Sequence, residues 1–184
     1  MALAQRRWSA ELLHFWFHRL TPRQWFGRSE AVDSALRRRF GRDLSMLSRQ
    51  PARAFLRDRQ TARAAVLLFD QAPRNLFRAS PRAFAYDGLA RAICKGALAR
   101  GWHRALDKRG RQFLLLPLMH SESRADQVQS TRHFAALNDA TITRFARDHA
   151  AMVIRFGRFP HRNAVLGRKS SAAEARAVAQ GHAW

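Results

Sequence analysis

Three polar clusters interrupt apolar stretches of this sequence, and their residue types suit charge binding or proton transfer. The first is LLFDQAPRNLFRASPRAFAYD, Leu67 to Asp87, which sets Asp70, Gln71, Arg74, Asn75 and Arg78 at the end of an apolar helix. Arg74 and Arg78 are four apart, so a helical turn places both guanidiniums on one face. Such forked donors bind carboxylate or phosphate. The structural alternative is a buried network in which Asp70, Asp87, Arg74 and Arg78 satisfy one another and lock a helix turn.

The second cluster is FLLLPLMHSESRADQVQS, Phe113 to Ser130. It delivers His120, Ser121 and Glu122 to a helix start, with Ser121 as the predicted N-cap and Glu122 in the first turn. Gln127 is expected to point inward. A histidine beside a glutamate can transfer protons, so His120 and Glu122 are candidate catalytic residues. The alternative is a capped helix with a satisfied histidine.

The third cluster is FGRFPHRNAVLGR, Phe156 to Arg168, with His149 and Arg155 just before it. Gly157 reads as a helix C-cap, Pro160 stiffens the exit, and Gly167 closes one further turn. Arg155, Arg158, Arg162 and Arg168, with His161 and Asn163, are candidate ligand donors; His149 is a third candidate acid or base. Either these arginines cap carbonyls and pair with Asp70, Asp87 or Glu122, or they hold a ligand. Donors outnumber those acceptors, which points to a small anion.

The elements that must position these groups are helical. Apolar positions 142, 145, 149, 152, 153 and 156 form one stripe, and 127, 128, 131, 134 and 137 another. Leu12, Leu13, Trp16 and Phe17 share a face of a first helix, with Ser9 as its predicted N-cap. Thr61 to Gln71 reads as a buried helix stopped by Pro73, and Ser80-Pro81 opens another that Gly101 closes. Nothing alternates with period two. The expectation is an all-α chain of about eight or nine helices in antiparallel hairpins, forming one domain over residues 1–184.

Composition narrows the partners. The formal charge is +21, and 31 of the 34 basic residues are arginine, since only Lys95, Lys108 and Lys169 are lysines. Such basicity suits a polyanion. The arginines are scattered, however, and the tryptophans (Trp8, Trp16, Trp25, Trp102, Trp184) do not cluster with them, so nucleic acid is not the favoured partner. Cys94 is the single cysteine, which excludes an internal disulfide and a thiolate zinc site and fits a cytoplasmic location. The apolar runs are too short to span a bilayer. His14 and His18 have chelating spacing but no HExxH glutamate, so no metal site is read there, and no cofactor motif is present.

The three clusters, with FWF at the N-terminus and QWFG ahead of Asp33 and Phe40, resemble the signature blocks of a bacterial family called domain of unknown function 924. The resemblance covers about residues 11–178. It implies an all-helical, tetratricopeptide-repeat-like right-handed array and supplies no reaction. The chain departs from the pattern at Val32 and at SSAAEA, where Glu174 is the remaining acid. The functional expectation is a polar pocket lined by arginine and histidine for a small anionic ligand, with enzymatic action an extension of it. The alternatives are a repeat-like scaffold for an acidic peptide and polyanion or RNA binding through net charge.

Overall fold

The structure is a computed structural model that describes the backbone of residues 2–181 and the side chains from Arg7 onward to Gly181. Trp184 lies outside the described residues. The helices are α1 (Ala2–His14), α2 (Pro22–Phe26), α3 (Glu30–Leu47), α4 (Arg59–Val66), α5 (Ala72–Leu76), α6 (Asp87–Ala99), α7 (Lys108–Met119), α8 (Arg124–Ala135), α9 (Ala140–Phe156) and α10 (Ala172–Ala179). No strand occurs among the described residues, so the fold is all-α as the periodicity predicts.

Three boundaries differ from expectation. Ser9 is not an N-cap; it lies buried inside α1. Pro73 does not stop its helix. A π turn at Leu67–Gln71 joins α4 to α5, and Pro73 falls in the first turn of α5, where its missing N–H costs little. Ser80-Pro81 opens only a 3₁₀ turn, Pro81–Phe84, and the long helix starts afresh at Asp87.

The chain packs as two compact units. Unit 1 comprises Met1–Arg78 and Arg82–Leu114; unit 2 comprises Ala79–Pro81 and Leu115–Trp184. In unit 1, α1 packs on α3 and α4, α4 on α6, and α3 on α5. Helix α3 shows why: Ser29 caps it by accepting from Val32 N, Glu30 and Asp33 complement its dipole, and Val32, Leu36, Phe40 and Leu44 recur every four residues and are buried. Burying each of the larger side chains contributes roughly 1.5–3 kcal/mol. At the unit's aromatic centre, Phe113 meets Trp25 at 5.2 Å and Trp16 at 5.6 Å, both edge-on. Trp25 Nε1 donates to the Trp16 carbonyl at 2.7 Å. The arginines do reach aromatic faces in this unit: Arg109 lies 5.6 Å from the Trp25 ring and Arg100 5.5 Å from Trp102, a correction to the expected separation.

In unit 2, α8 and α9 form an antiparallel hairpin. Arg124, at the start of α8, donates to the Ile154 carbonyl near the end of α9 at 3.1 Å, and Thr143 donates to Phe134 at 3.3 Å at the other end. Asp139 caps α9 by accepting from Ile142 N at 3.2 Å. Met152, Val153, Phe159 and Ala177 form a core cluster with Phe156 beside it. Most of both predicted stripes is buried, with Gln127, Phe134, Leu137, His149, Met152 and Val153 inside, but each stripe has a misplaced member. Val128 and Phe145 face solvent, while Asp126, Ser130, Ala146 and Ala150 are buried.

Candidate functional site

The second and third polar clusters meet within unit 2. His120 and Ser121 follow the last turn of α7, and α8 fixes that exit from behind. Gln127 Nε2 donates to the carbonyls of Met119 at 2.8 Å and Ser121 at 2.6 Å. Ser121 Oγ donates to Asp126 at 2.7 Å and accepts from Ser123 N at 3.2 Å. The N-cap position of α8 is therefore Ser123 and not Ser121, and Glu122 precedes the helix. These bonds draw Asp126 and Gln127 inward, which turns Val128 out. Asp126, wholly buried, was missed in the sequence because it falls off the apolar stripe.

Glu122 instead anchors the third cluster. It accepts from Phe159 N at 2.8 Å and from Arg168 Nη1 and Nη2 at 2.8 and 3.0 Å. Arg168 also donates to the Phe159 carbonyl at 3.1 Å. Burial pushes the Glu122 carboxyl up, but the bonds from Arg168 and Phe159 and the charges of Arg168 and Arg162 outweigh it and hold it below its usual range. Gly157, with φ 71°, ends α9 in the left-handed region and turns the chain toward Glu122. Farther along, Arg158 grips Glu174 at 2.7 and 3.0 Å and the Lys169 carbonyl at 2.9 Å. Asn163 donates to Ser170 at 3.0 Å. The bond from Arg158 and that from Ser171 N depress the Glu174 carboxyl to about 2.

Around the buried ring of Phe159 stand His149, edge-on at 5.5 Å, His161 at 5.6 Å, and the Arg162 guanidinium at 4.6 Å. His120 lies 6.2 Å from His149. His149 Nδ1 donates to the Phe145 carbonyl at 2.8 Å. Burial, then the neighbouring His120, depress His149 to about 3, although the Phe145 bond opposes this. Burial and the Arg162 charge depress His161 to about 4. Both rings are therefore neutral at ordinary pH. Among the described residues, no three His, Cys, Asp or Glu side chains form a group able to hold a metal. Arg155 stands apart on the surface, 4.8 Å over Phe156.

The first cluster belongs to unit 1. Arg74 donates to both carboxylate oxygens of Asp87 at 3.0 and 3.1 Å, lies 3.4 Å from Asp70, and also bonds the Asp70 carbonyl. Gln71 donates to buried Asp70. Arg78 and Asn75 converge on Asp33, at 2.7 and 2.9 Å for Arg78 and 2.8 Å for Asn75. Asp33 lies more than forty residues earlier in the chain, so no local spacing signals that pairing.

This ordered set of polar blocks, each at its expected place on an all-helical frame, agrees with the comparisons. The family described as bacterial protein of unknown function (DUF924) matches residues 12–182. The chain belongs to the DUF924 family. A solved structure of a protein of unknown function from Agrobacterium tumefaciens is similar to this DUF924 chain at 31% identity and a TM-score of 0.90, covering 96% of this chain and 99% of the other. No curated protein matches this DUF924 chain.

Proposed function

We propose that this DUF924 protein binds a small anion in unit 2, at the cluster of His120, His149, His161 and Arg162 about Phe159. One observation carries the reading. His149, His161 and the Arg162 guanidinium gather about the buried Phe159 ring at 5.5, 5.6 and 4.6 Å, which sets nitrogen-bearing groups together in a water-poor place. Neutral His161 brings an N–H donor without adding charge, whereas His149 spends its one N–H on the Phe145 carbonyl; a guanidinium in a water-poor setting holds an oxyanion strongly. Gln127 and Asn163 support the chain on either side. Arg158 and Arg168 act by fixing the Gly157–Lys169 segment through Glu174 and Glu122. In an enzymatic version His120 or His149 is the acid or base, and Glu122 positions the segment that carries His161 and Arg162.

The test is thermal unfolding of the full chain with phosphate, sulfate or a dicarboxylate, each against sodium chloride at matched ionic strength. An anion at 100 times its dissociation constant adds about 2.7 kcal/mol. The gain is expected to disappear in Arg162→Ala. An equal gain in that variant, or no gain beyond the salt control, removes the reading.

A second reading has its own observation. Unit 1 holds 24 Lys and Arg against 8 Asp and Glu, a net of +16, whereas unit 2 holds 10 against 5, a net of +5. Binding of a polyanion such as RNA would then use unit 1 and be insensitive to Arg162→Ala, with affinity falling steeply between 50 and 200 mM salt by roughly 10³-fold or more.

A further inference from the structure

We propose that His14 and His18 form a two-histidine chelate for a borderline divalent cation such as Cu²⁺, Zn²⁺ or Ni²⁺. The two rings stand at the junction where α1 passes into a π turn, Phe15–Arg19. Their neighbours Phe15 and Trp16 are buried, yet both histidines are exposed. Neither ring fills core. Their centroids are 5.3 Å apart with planes 22° from parallel. A tetrahedral cation bound by two imidazoles at the usual metal–nitrogen distance places the ring centres about 5 Å apart. The centroid separation matches that of a chelate, and rotation about the two side-chain torsions takes the rings out of their stack so that one nitrogen of each faces a common point.

The surroundings are balanced in charge, within an otherwise basic unit. Glu11 lies one helical turn before His14, exposed, and its carboxylate meets Arg39 at 3.0 Å in a solvent-screened pair. Asp43 feels the same carboxylate: burial and then the Glu11 charge push its carboxyl up. Two acids thus sit by this end of α1 against Arg39 and Arg42. The ligand set supplied by the chain is two nitrogens, with water completing the shell. Imidazole selects Cu²⁺, Ni²⁺ and Zn²⁺ over the hard cations Mg²⁺ and Ca²⁺.

The experiment is calorimetric titration of the untagged full chain with Cu²⁺, Ni²⁺, Zn²⁺ and Mg²⁺, with circular dichroism confirming the fold of each variant. One saturable equivalent is expected, tightest for Cu²⁺ and absent for Mg²⁺. Both His14→Ala and His18→Ala should weaken it at least tenfold, because a chelate needs both rings. His133→Ala, on α8, should leave it unchanged. Wild-type affinity in either single variant, an equal loss in His133→Ala, or a preference for Mg²⁺ overturns the proposal.

Discussion

His149 and His161 carry the clearest consequence at the scale of single residues. Burial, with the charges of His120 and Arg162, takes His149 down to about 3 and His161 to about 4, against 6.5 for a free ring. The unfolded chain therefore binds more protons than the folded one between about pH 6.5 and 3, so stability falls as pH drops through that window and is flat above it. Glu122 and Glu174, depressed in the fold, add to the loss at its acid end. Denaturant midpoints measured from pH 7 to 4 should decline steeply, and His149→Asn should flatten the decline between pH 6.5 and 4.5. An unchanged slope in that variant would mean that His149 is not neutral in the fold. The residue types at this site were legible in the sequence, since histidine and arginine beside apolar runs already implied burial with partners. The partners themselves were not. Arg168 with Glu122 is one of the pairings the residue types allow; Arg78 with Asp33 joins residues 45 apart, which no local pattern signals.

Among the elements, turns decide where the functional segments point. Ala79 takes φ 56°, a left-handed conformation that glycine adopts without strain. Ala79→Gly removes that strain at a smaller entropic cost in the unfolded chain, so a net gain of about 0.5–1 kcal/mol is expected in chemical denaturation. A loss of stability there would show that the backbone is not strained. Gly157 and Gly167, at φ 71° and 65°, are the converse, and replacing either by alanine would introduce the same strain. Glycine and proline advertise chain reversals, and Gly157 was read correctly for that reason. The π turn before Pro73 was not readable, because a widened turn depends on how Leu67, Leu68 and Phe69 bury together, not on the proline alone.

For the whole molecule the governing quantity is charge. A net of +21 repels itself at low ionic strength, and unit 1 carries most of it. Raising sodium chloride from 10 to 150 mM shortens the screening length from about 30 to 8 Å. The melting temperature should therefore rise, by a few degrees; a fall would indicate that ion pairs such as Arg74 with Asp87 outweigh the repulsion. No helix among the described residues is long and apolar enough to cross a membrane. Sequence alone determined the all-α class, the family and the polar blocks, because helical period, capping residues and block order are local properties of a chain. The tertiary structure decided which acid meets which arginine, which way Val128 and Asp126 face, and that His149 and His161 flank Phe159 with His120 beside His149. Those outcomes depend on contacts between residues far apart in the chain, and helical periodicity leaves the rotation of a stripe uncertain by about one residue until the partner helix is in place.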